Sequence, residues 1–322
     1  MLTFLARRML QALLLVWGVL TLTFFLMHAS PGDPTARFLS PQISPPTLAL
    51  LRQQFGFDQP LHWQYLKWLR QCLAGEWGYS LTQGQPVSAI LAEAIPATLQ
   101  LTIPALLLIF VLGITLGTLG AHYRQRWPDV FINHAGLAFY CMPSFWLGLL
   151  LLSLFALKLG WLPTSHAATL RLAEAGFWET CRDRLAHLVL PVLTLALPGA
   201  TATARYVREN LVNAMDSTFI RLAQAKGLPP WRIMIRHALP HARLPLLSLL
   251  GLSFPFLLGG AFLTETVFAW PGMGRVTLEA IFARDYPVIL AATALSAIMV
   301  IAGNLITDVC YRLADPRIKA PA

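Results

Sequence analysis

The chain has 322 residues, of which 56% are hydrophobic and 12% charged, with a formal net charge of +9 at neutral pH. Such a composition excludes an ordinary soluble domain and points to a membrane protein. A basic excess of this size also fits a nucleic-acid binder, but the distribution of basic residues along the membrane spans accounts for all of it.

Six stretches are apolar enough to cross a bilayer, which takes about 20 residues each: residues 9–28, 97–121, 133–157, 185–204, 244–264 and 287–307. None carries Asp, Glu, Lys or Arg in its interior. With the N-terminus inside, fourteen of the 24 Lys and Arg fall in cytoplasmic segments, so the net charge lies on the inner side, as membrane topology requires. Both termini are then cytoplasmic.

In chain order, Arg7 and Arg8 precede the first apolar run. That run exceeds the roughly 7–15 residues of a signal-peptide core and continues into Pro31-Gly32-Asp33-Pro34, so it is expected to stay as the first span. Residues 29–96 form an external loop too long to be structureless. Short helices are expected at 46–55, 61–74 and 86–94, with Trp63, Tyr65 and Trp68 suited to the headgroup level. Two readings stand for this loop: an interfacial cap, or a platform for an external binding protein. The next external loop, 158–184, carries Gly160-Trp161-Leu162-Pro163 and a helical pattern over 169–181. Cys72 and Cys181 both lie outside, where a bridge is permitted but not required; no cysteine spacing resembles a metal site.

Residues 216–247, between the fourth and fifth spans, are basic and turn-rich. Asp216 or Ser217 is placed to cap a helix whose Phe219, Leu222 and Ala223 share an apolar face. Gly227 stands where a left-handed cap is expected, Pro229-Pro230 open a second helix over 231–238, and Pro240 is expected to end it. The pattern is a helix-turn-helix knuckle. The third external loop, 265–286, contains Phe268-Ala269-Trp270-Pro271-Gly272-Met273-Gly274-Arg275 and Arg284-Asp285-Tyr286-Pro287, read either as interfacial anchoring or as a gate.

Catalytic constellations are missing. None of the four lysines follows glycine, so there is no Walker phosphate loop, and neither a zinc-protease helix nor a Gly-x-Ser-x-Gly elbow occurs. The neutral groups Gln100, Ser144, Ser153, Thr201, Thr203, Ser253, Ser296 and Asn304 are left to line a path or join helices, and the glycines at 113, 117 and 120 suit close helix approach.

Arg221-Leu222-Ala223, then Gly227, then Leu239-Pro240 at matching offsets resemble the cytoplasmic coupling loop of binding-protein-dependent ABC importers. Arg221 departs from the usual acidic residue and His237 from an aliphatic one. Arg7-Arg8 with Pro31-Gly32-Asp33-Pro34, and Thr264-Glu265-Thr266 with the aromatic turn after it, are similar to the dipeptide, oligopeptide and nickel permeases. The resemblance covers nearly the whole chain and implies an all-α, polytopic membrane protein with six transmembrane helices and a cytoplasmic helix-turn-helix coupling loop. The implied layout is a cytoplasmic N-terminus (1–8), a first span (9–28), an external folded loop (29–96), a five-helix permease core (97–308) holding the coupling loop 205–243, and a cytoplasmic tail (309–322). Arg221, Leu222, Ala223, Ala225, Lys226, Gly227, Leu239 and Pro240 are the implied coupling residues. Glu265, Trp270, Pro271, Gly272, Gly274, Arg284, Asp285 and Tyr286 are candidates for an external gate or docking surface. The resemblance implies a non-enzymatic subunit without metal or cofactor, set in the inner membrane. Its partners would be a homologous second permease, two ATP-binding subunits and an external solute-binding protein, with no nucleic acid. The implied solute is a small peptide, with nickel or a metal chelate as the alternative. The rivals from other classes are a stand-alone secondary transporter or channel, weakened by the absence of buried carboxylates in the spans, and a membrane scaffold or sensor.

Overall fold

The computed structural model describes residues 2–29, 59–168, 176–253, 256–259 and 261–314. The turn at 31–34, the helix expected at 46–55 and the start of the pattern at 169–181 lie outside them. The described residues are helical, with no strand among them, and the chain divides into two compact units. One comprises residues 1–95 and 276–298, the other 96–275 and 299–322.

In the first unit, α1 (Leu2–Ala29) carries the first apolar run. The amphipathic α2 (Leu61–Leu73) lies against its C-terminal end through aromatic rings. Phe24 stacks on Trp68 at 5.4 Å and on His28 at 4.2 Å, and meets Tyr65 edge-on at 5.3 Å. The Tyr65 hydroxyl also pairs with Thr21 Oγ1 at 2.7 Å. A tight turn closed by Tyr79 and Pro86 leads into α3 (Val87–His122). The short helix expected at 86–94 is therefore the beginning of a single 36-residue helix rather than a separate piece.

In the second unit, α3 continues through Pro96 and Pro104. Two turns connect it to α4 (Trp127–Cys141), followed by α5 (Ser144–Leu151), which widens into a π-helical stretch at Leu152–Lys158. The third expected span is thus not one straight helix, since α4 and α5 meet at 104°. The cause is local: Pro143 has no N–H to give and forces Met142 into an extended conformation (φ −76°, ψ 131°). The 39-residue α6 (Phe177–Met215) packs against α3, α4 and α5, and retains Pro191 and Pro198 in its interior. On α6, Thr194 and Thr201 satisfy themselves locally, donating to Leu190 O at 2.8 Å and to Leu197 O at 3.0 Å. Side chains at Gly113 and Gly117 would meet Thr203 and the Ala204 carbonyl at 2.5 Å, so the bare stripe on α3 lets α6 approach.

After α6 come α7 (Thr218–Ala225), α8 (Pro230–Ile233), α9 (Arg243–Ser253), α10 (Phe256–Gly259), α11 (Phe262–Val267), α12 (Met273–Ala283) and α13 (Tyr286–Ala314). Among the described residues four helices are long and apolar enough to cross a membrane, and five if the bent α4–α5 pair counts as one span. The remaining expected span, 244–264, is divided among α9, α10 and α11.

Candidate functional site

The knuckle begins where α6 ends at Met215. Ser217 occupies the cap position of α7, but its hydroxyl turns back to Ala214 O at 2.5 Å instead of capping the new helix. Gly227 has φ +72°, and its N–H reaches Gln224 O at 2.9 Å, which closes α7 with the left-handed turn expected there. Beyond Pro229-Pro230, α8 does not stop at Leu239-Pro240. It widens into a π turn over Met234–Ala238, narrows to a 3-10 turn over Leu239–Ala242 and runs on into α9. Pro240 changes the winding rather than ending the helix, because adjoining turns of different pitch absorb its missing donor.

The buried side of α7 also differs from the expected one. Ile220 and Ala223 pack with Ile233, Met234 and Ala238 of the second helix and with Val207 and Leu211 of α6. Phe219 and Leu222 turn outward, Leu222 to 60% exposure, and Phe219 rests on the His241 ring at 4.4 Å. Of the sequence-derived coupling residues, Ala223 belongs to the knuckle's own core, and Leu239 and Pro240 are half-buried. Arg221, Leu222, Ala225, Lys226 and Gly227 lie exposed.

The external candidates separate into two clusters. In the second unit, Glu265 is fully buried. Its Oε1 accepts from the Thr98 hydroxyl at 2.8 Å and its Oε2 from the Arg275 N–H at 2.9 Å, while Thr98 Oγ1 accepts from Met273 N at 2.7 Å. Burial pushes the Glu265 carboxyl up, and these donors together with the Gly274 N–H pull it back. A side chain at Gly272 would stand 2.4 Å from the Glu265 carboxyl, so the turn can wrap this group only with glycine there. Trp270, 1% exposed, donates its indole N–H to Ala97 O at 2.8 Å and packs on Leu101, Val192 and Leu195. It is therefore a core residue and not an interfacial anchor; Pro271 beside it is exposed.

In the first unit, Arg284 takes φ +56°. Asp285, fully buried, accepts through Oδ2 from the Ser80 hydroxyl at 2.5 Å and from the Thr82 N–H at 3.0 Å and hydroxyl at 2.8 Å. The Tyr286 hydroxyl donates to Met27 O at 3.2 Å, and its ring borders a cavity of about 350 Å³ shared with His28, Trp68 and Trp77. The sequence reading placed Asp285 at a gate without its partners, because Ser80 and Thr82 lie 205 and 203 residues away along the chain.

One group escaped the sequence reading. Asp129, in the first turn of α4, is 3% exposed. Arg208 on α6 grips both its oxygens, Nε to Oδ1 at 2.5 Å and Nη2 to Oδ2 at 2.6 Å. No group of three or more potential metal-binding side chains occurs among the described residues.

Comparison with known proteins bears on both ends of the chain. Residues 110–320 match the family described as binding-protein-dependent transport system inner membrane component, and residues 1–102 match its N-terminal companion. The chain is 35% identical over 320 residues to the oligopeptide transport system permease protein AppB of Bacillus subtilis, covering 99% of this chain and 100% of that one. It is 34% identical over 319 residues to the glutathione transport system permease protein GsiC of Escherichia coli, with 99% of each chain covered. Among solved structures, the inward-facing MetNI methionine ABC transporter matches 70% of this chain and 97% of its own, with a TM-score of 0.54 at 18% identity, a likeness of fold. Membership of this family implies ATP-binding subunits and a solute-binding protein as partners, and a multi-pass place in the membrane. The all-helical architecture, the matched family over most of the length and the near-complete alignment with two permeases agree: the chain belongs to the binding-protein-dependent transport system inner membrane component family and is the permease of an ABC importer.

Proposed function

We propose that this permease, with a homologous sibling, forms the path for a small peptide, fed from outside by a solute-binding protein and driven by two ATP-binding subunits. In this reading both termini are cytoplasmic, and the knuckle within residues 205–243 seats in a groove of an ATP-binding subunit. The observation that carries it is the division of labour in α7: Ile220 and Ala223 hold the knuckle together while Leu222 stays exposed among Arg221, Ala225 and Lys226. An apolar side chain ringed by charge on a preformed support is a docking ridge in want of a partner. On the outer side, the Glu265 cluster and the Asp285 cluster each fix a turn within their own unit and serve as gate or docking elements. The peptide assignment draws on the two relatives, whose names specify oligopeptide and glutathione, both peptides.

Deleting the gene and measuring uptake of radiolabelled alanyl tripeptide and glutathione tests the solute. Loss of either uptake, restored by the gene in trans, is the expected result. Unchanged uptake of both, with loss of a nickel-dependent enzyme activity in the same cells, overturns it.

A further inference from the structure

We infer that the Asp129–Arg208 ion pair is a transmission latch, the joint through which movement of the knuckle reaches α4. The inference rests on the coupling role proposed above and assigns its next mechanical link.

The connection between α3 and α4 is tied to the knuckle and its root at four places. Ala121, the penultimate residue of α3, lies in the same buried core as Val207, Leu211, Ile220 and Met234. His122 meets the ring of Trp231 on α8 edge-on at 5.1 Å. Arg124 faces Asp216, at the junction of α6 and α7, at 3.6 Å. Asp129, in the first turn of α4, is gripped by Arg208, which lies next to Val207 on α6.

The first three ties are apolar, edge-on or solvent-exposed, and such exposed pairs hold little. The fourth is different in kind. Both carboxylate oxygens are occupied by one guanidinium fork, and the same oxygens also receive Gln125 N–H at 2.9 Å and Asn133 Nδ2 at 2.7 Å. Gln125 reaches its position with φ +62°, an uncommon conformation for a residue with a side chain. A bidentate pair whose carboxylate is buried and hydrogen-bonded at both oxygens, while the guanidinium stays partly exposed, resists sliding in two directions and fixes register. It therefore moves the start of α4 whenever α6 moves.

Beyond its first turns α4 stays close to α6 at Gly136, where an added side chain would meet Thr201 at 2.8 Å, but the packing around that contact is incomplete. An apolar void of about 140 Å³ lies between α3, α4 and α6, bordered by Asn133, Gly136, Arg205 and Arg208. At its far end α4 stops at Cys141, beside the 104° break. A helix clamped at one end, with space along its flank and a hinge at the other, acts as a lever; over 15 residues it is about 22 Å long. Asp129 and Arg208 are positioning residues, acting through the helices that they join.

The test uses the complete importer, both permeases, ATP-binding subunits and binding protein, with Cys72, Cys181 and Cys310 changed to Ser so that Cys141, which is exposed, is this chain's one thiol. The rate of Cys141 labelling by a maleimide is measured with and without ATP and vanadate, alongside co-purification of the ATP-binding subunit. The unaltered pair is expected to give a nucleotide-dependent change in rate. Asp129→Asn, Arg208→Gln and the double variant are each expected to abolish that change while the ATP-binding subunit stays bound, the double losing no more than either single. A nucleotide-dependent change that survives in either single variant, or that is absent with the pair intact, overturns the latch. Loss of the ATP-binding subunit from a single variant also overturns it, in favour of a folding role. Failure of the ATP-binding subunit to bind the unaltered chain would instead overturn the coupling reading, and the latch with it.

Discussion

At Gly227 the left-handed turn foreseen from sequence is present, with φ +72° and open space around the missing side chain. The requirement is therefore conformational and not steric. A β-branched residue there costs on the order of 1–2 kcal/mol, and Gly227→Val is expected to reach the membrane at normal abundance yet lose most solute-stimulated ATP hydrolysis, measured on membranes of matched permease content. Trp270 and Asp129 were illegible at this scale for one reason. A tryptophan beside Pro-Gly reads as interfacial, and an aspartate in a basic loop reads as solvated, until the Ala97 carbonyl and the Arg208 guanidinium arrive from remote parts of the chain. Gly272, by contrast, was picked from its motif, but its reason emerged only with the Glu265 carboxyl packed against it.

The elements were legible where hydrophobic length alone decides and less so where winding matters. The spans beginning near residues 9, 97, 185 and 287 were each found within a long helix. The break at Met142-Pro143 was hidden because apolar composition continues across it, although Pro143 was a readable signal. In α7 periodicity correctly showed an amphipathic helix but chose Phe219 and Leu222 for the buried side, whereas the neighbouring stripe through Ile220 is the one that packs. The two faces make opposite demands. Ala223→Glu places a charge in the knuckle's own core at a cost of several kcal/mol, so limited proteolysis of this variant is expected to cut within residues 218–242. Leu222→Glu should leave that segment protected and abolish co-purification of the ATP-binding subunit. Protection of Ala223→Glu equal to the parent would contradict the packing described for α7.

For the whole molecule, the arrangement of basic residues gives a direct test of orientation. In a chain stripped of its own cysteines, Leu73→Cys, at a position 80% exposed, is expected to react with a membrane-impermeant maleimide added to sealed cells. Gln224→Cys is expected to react only after the membrane is opened. Reaction at Gln224 in sealed cells would reverse the assigned topology. The same inventory of charges says nothing of which remote segments join, and that information resides in a few buried polar contacts.

The bond between Asp285 and the Ser80–Thr82 turn has a further consequence, for the order in which the protein can be made. A ribosome delivers the turn some two hundred residues before its carboxylate partner. During that interval the early part of the chain is inserted but unfinished, and it waits for the last helix to enter the bilayer before its hydroxyls and amide find their acceptor. Messages cut short anywhere ahead of Asp285 therefore yield chains in which this fastening is never closed, and cellular quality control meets an unfastened turn even when every earlier span has been inserted correctly.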